Sequence, residues 1–361
     1  METSRSRGTA PSSVGRSRRG LVKFAAAIGV FGMLAVGCAD AEDADPDTSR
    51  VGSSEQLQNV VKPVTGEPKR GGTLVVGLEA ESEGFNPAAN RMAGSALTVM
   101  RAVLDPLAAL GDDMQPKPFL AQSFTPANDF KQWDIKLRGG IQYHDGEPLN
   151  AAAFKKFIDK FRENGVLGGS VRPIKETVIV DDLTLRFVLD QSWASFPLIF
   201  TVQPGYIPSP KQIDANDSRN PVGTGPFKFV NWETDRQLTV ERWPNYWRQG
   251  LPYLDKIEFR PIADNQARYK ALQAGSIDIM VSAREQTIQD IIRDGQSGAF
   301  QVVQAKGDND VNMLMMNTSK PPFNDLRLRQ AIVHAIDQRQ ILALTNSSED
   351  LAADSVWSKT S

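Results

Sequence analysis

Apolar and polar positions along the chain fall into two periods. Strict alternation runs through Trp133, Ile135 and Leu137, set against Asp134, Lys136 and Arg138, and ends at Gly139-Gly140. It recurs at Leu183, Leu185, Phe187 and Leu189 after the turn signal Asp181-Asp182. A period of two places one face of a strand in a core and the other in water. Phe227-Lys228-Phe229, Leu238-Thr239-Val240 and Ile257-Glu258-Phe259 read the same way, and Thr73 to Gly77 is a short apolar run fit for a buried strand. Helical spacing appears at Phe154, Phe157, Ile158 and Phe161, with Asn150 in position to cap the first turn. A second helix is expected from Gln266 to Ala274, closed by Gly275 at its C′ position and leading into Ile277 to Met280. A third starts at Asp325, with Leu328, Ala331, Ile332, Ala335 and Ile336 on one stripe, and reaches about Leu344. Strands and helices mix without βαβ regularity or internal repeats, which predicts an α/β fold with mixed sheets.

The first 68 residues do not share this patterning. Basic side chains up to Lys23 precede an uncharged run, Phe24 to Gly37. As a helix this run spans about 21 Å, short of the roughly 30 Å of a bilayer core, and it has the shape of a signal-peptide h-region. It closes on Leu34-Ala35-Val36-Gly37-Cys38, which resembles the lipobox of bacterial lipoproteins, and Cys38 is the only cysteine. Residues 1–37 are therefore expected to be a signal peptide, with Cys38 carrying lipid. Ser17 to Lys23 also resembles a twin-arginine export motif, so the export route stays open between the two. Residues 38–68 are expected to be a flexible tether, because 39–68 hold seven acids, two bases and no aromatic. The result would be an exported protein, lipid-anchored on the outer side of the cytoplasmic membrane.

Composition narrows the function classes. The chain has 361 residues, with 17 Phe and 6 Trp. This is enough apolar material for two compact domains or one large one. Its net charge is −2, and since residues 1–37 carry six bases and one acid, the rest stands at −7. An acidic chain is a poor nucleic-acid binder. A single cysteine excludes an internal disulfide. His144 and His334 are far apart, so a zinc site is not expected. Asp308 to Asn312 mimics the start of a calcium loop but lacks its later glycine and glutamate. No nucleophile elbow or P-loop is present. His144-Asp145-Gly146 reads first as a turn, with an exported hydrolase using His144 and Asp145 as the distant alternative. No cofactor is expected and the chain is taken as a tethered monomer.

Several blocks together resemble the extracellular solute-binding proteins that serve peptide-type ABC importers. They are Arg70-Gly71-Gly72-Thr73-Leu74 with Gly84-Phe85-Asn86-Pro87, Trp133 to Ile141, Tyr143 to Leu149, Asn220 to Phe227 with Asn245-Tyr246-Trp247, Gln273 to Asp278, and Pro322 to Ala331. The resemblance covers about Lys69 to Leu342. It implies a two-lobed periplasmic-binding-protein-like fold (type II, mixed sheets), with a peptide or similar small solute held between lobes and delivered to an ABC permease. Residues 69–283 would form the first lobe and 284–361 the start of the second. Relatives of this kind run on past the helix at Asp325, so the second lobe is expected to be incomplete. A non-transporting lipoprotein or surface interaction module is the runner-up reading. By the same resemblance Glu81, Ser82, Glu83, Gly84 and Phe85 correspond to a cleft-lining loop of the first lobe, a plain surface turn being the competing reading. Gln203 and Tyr206 are candidates for the same cleft. Asn312 and Met315 lie on an expected strand near the lobe crossing, where a core role is favoured.

Overall fold

A computed structural model describes residues 66–344 except 112, 282–284, 297, 299 and 304–313. The signal-peptide, lipobox and calcium-loop expectations, the tether up to residue 65, and Asn312 lie outside the described residues.

Two sheets organise the chain. The first begins with β1 (Thr73–Leu78), whose apolar run is buried towards its end. It pairs in parallel with β10 (Lys256–Pro261) on one side and β11 (Ile279–Met280) on the other. β9 (Gln237–Arg242) and β8 (Phe227–Glu233) continue it antiparallel, giving the order β11-β1-β10-β9-β8. The second sheet is antiparallel throughout, in the order β4-β5-β7-β6. Its strands are β4 (Ala121–Ala127), β5 (Gln132–Leu137), β6 (Ile174–Asp181) and β7 (Thr184–Leu189). A small hairpin, β2 (Ala108–Leu110) with β3 (Pro116–Pro118), lies between them in sequence. The mixed sheets expected from the alternation are present, and Asp134 and Arg186, opposite one another on β5 and β7, form a two-pronged ion pair at 2.7 and 2.8 Å.

Each sheet carries a helix. α1 (Gly94–Val103) buries Val99, Met100 and Val103 with Val76, Phe227, Val240 and Phe259 of the first sheet. α2 (Ala151–Glu163) packs on the second. Asn150 Oδ1 accepts from Ala153 N at 2.9 Å, the expected cap, and Phe154, Phe157, Ile158 and Phe161 are all buried. Burying each such side chain is worth about 1.5–3 kcal/mol before entropy costs, so this one face accounts for the helix's position.

α3 (Pro210–Ala215) is short and capped by Ser209. α4 (Asn265–Gln273) starts on Asp264, whose Oδ1 accepts from Ala267 N at 2.7 Å, and stops at Gly275 with φ +68°. α5 (Glu285–Gln296) follows β11. α6 (Leu326–Ala335) is capped by Asp325 as expected, and α7 is Gln338–Leu344. The helix expected to run to about Leu344 is interrupted at Ile336, whose backbone is extended, and the predicted stripe is only partly covered: Leu328 and Ile332 are half-buried, while Ala331, Ala335 and Ile336 are exposed.

Candidate functional site

The three parallel strands β1, β10 and β11 run in one direction, so their carboxyl ends open on the same edge. In α/β sheets such edges are where loops gather around ligands. The loop after β1, residues 79–92, is held to this edge by long-range bonds. Glu81 accepts from the indole N–H of Trp232 and from the backbone N–H of Asp235, both at 2.8 Å, on the hairpin between β8 and β9. Phe85 N donates to Ser218 O at 2.7 Å, and Gln212 Nε2 donates to Phe85 O at 3.1 Å. Gln203 Nε2 donates to Pro87 O and Asn90 O at 2.8 and 2.7 Å, while its Oε1 accepts from Met92 N at 3.4 Å. Below the loop, the fully buried Arg268 donates through Nη1 to Ile262 O at 2.6 Å. Through Nη2 it donates to Glu79 Oε1 at 3.2 Å and to Asn265 Oδ1. Burial pulls this guanidinium below its ordinary value, while Glu79 and Asp264 hold it up.

The structure thus brings Glu81 to Phe85 and Gln203 together. It does so as a scaffold. Phe85 is 1% exposed, with its ring edge-to-face with Trp232 at 5.0 Å. Ser82 Oγ closes a turn on the backbone of Gly84, which is buried. Glu83 remains exposed, as do Glu79, Ala80 and Arg91. Tyr206 is buried, its hydroxyl accepting from Arg101 Nε at 3.3 Å beside the last turn of α1, so neither its face nor its oxygen is free. Met315 is 85% exposed on a segment, 314–317, that forms no strand, so neither the expected strand nor the favoured core role is found there. Sequence reasoning missed the latches Trp232, Gln212 and Arg268. No local signal marks them, because each acts on a partner more than 100 residues away. Substituting Glu81→Ala leaves a partly buried indole N–H and a backbone N–H without acceptors. We expect about 1–2 kcal/mol of lost stability and faster hydrogen exchange in residues 81–92. Unchanged exchange there would show that Glu81 is not the latch.

His144 and Asp145 do not form a catalytic pair. His144 Nε2 donates to Gly225 O at 2.9 Å and Nδ1 accepts from Gly223 N at 3.4 Å, which places the proton of the neutral ring on Nε2. Burial pushes its pKa down to about 4. Asp145 instead accepts from Glu147 N across the Asp-Gly turn. Among the described residues no group of three His, Cys, Asp or Glu side chains could hold a metal ion, and no helix is long and apolar enough to cross a membrane.

Comparison with known proteins agrees with the architecture. The family model described as bacterial extracellular solute-binding proteins, family 5 Middle, matches residues 115–359. Glutathione-binding protein GsiB of Pectobacterium atrosepticum is 28% identical over 259 residues, covering 69% of this chain and 49% of the relative. The GsiB of Escherichia coli K12 is 28% identical over 248 residues, covering 66% and 47%. The chain spans about half the length of the curated relatives it matches. Among solved structures, the binding protein AgaA of A. tumefaciens R10, in complex with agropinic acid, aligns with a TM-score of 0.65 at 25% identity, over 75% of this chain and 55% of that one. The oligopeptide-binding protein AppA of Bacillus subtilis shares the fold, with a TM-score of 0.61 at 23% identity, over 77% and 56%. This chain is a member of the bacterial extracellular solute-binding proteins of family 5.

Proposed function

We propose that the chain supplies the first lobe, and the beginning of the second, of the substrate-binding component of an ABC importer. Residues 69–283 form the first lobe in this reading and 284–361 open the second. A small peptide is the favoured solute, since the GsiB relatives are named for glutathione and structural neighbours were solved with peptides. The observation that carries the reading is the loop 79–92, latched rigidly at the carboxyl ends of three parallel strands in a chain of this family. Its exposed Glu83 and Arg91 offer charges of both signs to a peptide's termini. The buried Phe85 and Tyr206 set the wall's shape rather than touching solute. A wall of this kind gains full affinity only when an opposing lobe closes on it and removes the ligand from water. Lipid on Cys38 would hold the protein at the membrane surface beside its permease.

Native mass spectrometry of the protein recovered from its own membranes tests both parts. A diacylglyceryl mass on Cys38 together with a bound peptide is the expected result. In solution, glutathione or a dipeptide at 100 times its Kd should add about 2.7 kcal/mol to unfolding stability. An empty chain whose melting does not respond to any small peptide would overturn the peptide assignment. A chain without lipid would overturn the anchor alone.

A further inference from the structure

One concavity lies away from the loop 79–92. It has a volume of about 420 Å³ and is lined by Gln122, Arg138, Gly139, Gly140, Ile141 and Trp247. Trp247 is fixed there by its indole N–H, which donates to Asp105 Oδ2 at 2.7 Å. Asp105 is buried directly after α1, whereas the loop 79–92 precedes that helix. Ten residues of helix span about 15 Å, so the two places lie at opposite ends of α1.

The lining is a one-sided donor set. Arg138 Nε donates to Phe119 O at 2.6 Å, which orients the guanidinium 5.8 Å from the centre of the Trp247 ring. Its two Nη groups find no acceptor among the described residues, in contrast to Arg186, Arg242, Arg260 and Arg327, each of which meets a carboxylate. The backbone N–H groups of Gly139 and Gly140 likewise donate to nothing among the described residues. The Gln122 side chain is exposed, and no acid lines the space. Phe119 stands edge-on to Trp247 at 5.6 Å, and the Arg248 guanidinium lies 5.4 Å from the Phe119 ring. The floor is therefore rigid and the charge above it unpaired.

We propose that this concavity is a second ligand site, separate from the cleft edge, and that it takes a small organic carboxylate. Two coplanar Nη groups match the two oxygens of a carboxylate, and Arg donors of this kind bind them two at a time. Trp247 and Ile141 supply the flat apolar surface for the carbon skeleton. The donors are held in place before binding, so little ordering entropy is lost when the ligand arrives. A simple counter-ion patch would need neither the indole floor nor a concavity of this size.

The test uses the full chain labelled with ¹⁵N at tryptophan and glycine, titrated with benzoate, with the neutral isostere benzamide and with inorganic phosphate. The expected result is a saturable shift of the Trp247 indole N–H and the Gly139 and Gly140 amides with benzoate, and binding at least about tenfold weaker for benzamide. Phosphate should fail to displace benzoate. Arg138→Met should weaken benzoate by a similar factor. Because Arg138 also holds Phe119 O, the exposed substitution Gln122→Glu serves as the second variant: it leaves the fold alone and sets a like charge in the lining. Overturning results are a shift that does not saturate, equal binding of benzamide, displacement by phosphate (an anion patch only), or benzoate affinity unchanged in Gln122→Glu.

Discussion

Replacing Phe200 by Ala should cost about 3–5 kcal/mol, the largest loss expected of any single substitution in the described fold. Phe200 has no exposed surface and lies in the turn Phe196–Thr201 beneath the second sheet. Its ring meets Phe124, Phe154, Phe187 and Phe196 at centroid distances of 6.3, 5.8, 5.8 and 5.2 Å. Truncation would remove four aromatic contacts and leave a void, and the backbone around the site resists collapse. A Cβ at Gly205 would already come within 1.8 Å of the Phe200 carbonyl oxygen. Against a typical domain stability of about 5–15 kcal/mol, such a loss shifts the urea midpoint far down. Phe130→Ala, at a ring 38% exposed, is the control and should cost about 1 kcal/mol or less. Similar losses for the two would show that the cluster relaxes around the gap and is not a close-packed hub.

That hub also separates what the sequence announced from what it hid. The alternation at Trp133 to Leu137 and Leu183 to Leu189, and the stripe from Phe154 to Phe161, are local periods, and each became the element expected. α1 was not foreseen. It starts on Gly94 after Ala93, which supplies no side-chain cap to mark its beginning, although Ala96, Val99, Met100 and Val103 fall on one buried stripe. β4 and β6 are the edges of their sheet and carry mostly exposed side chains, which blurs the two-residue period. The stripe on α6 holds as a pattern from Leu328 to Ala335, yet none of its residues is fully buried.

The family blocks are architectural. Gly223 and Gly225 let the chain pass against the end of α1, where a Cβ would fall 2.2 and 2.6 Å from the Val103 carbonyl oxygen. His144 fills the space behind them, and Tyr246 and Trp247 clasp Asp105. These motifs identify the fold through the junction of α1 with both sheets. The wall of the candidate cleft was legible only as a loop position. Which way Glu81 and Phe85 turn depends on Trp232 and Gln212, and no spacing rule reaches 151 or 127 residues.

That junction buries two titratable groups whose effects on stability oppose one another. His144 is 4% exposed; burial first, then Lys228, lowers its pKa from 6.5 to about 4, against the Gly225 bond and Asp145. Between those values the unfolded chain takes up a proton that the folded chain refuses, so stability falls as pH drops, by up to about 3 kcal/mol. Asp105, also 4% exposed, is raised by burial from 3.8 to about 7, against the donors Trp247 and Tyr246 and the charge of Arg248. Here the folded chain holds the proton that the unfolded chain releases. Its contribution is complete below 3.8 and lost as pH rises through 7, a change of up to about 4 kcal/mol. The two slopes nearly cancel in the parent protein, so its stability should change little between pH 7 and 4.5. Single substitutions should unmask them. His144→Gln removes the falling component, so the variant should become more stable as pH is lowered. Asp105→Asn keeps an acceptor for Trp247 but removes the rising component, so that variant should lose stability over the same range. Urea midpoints of the three proteins at several pH values read this directly. Parallel profiles for all three would mean that neither group is held in the protonation state its burial dictates, and the packing at the end of α1 would have to be looser than these contacts require.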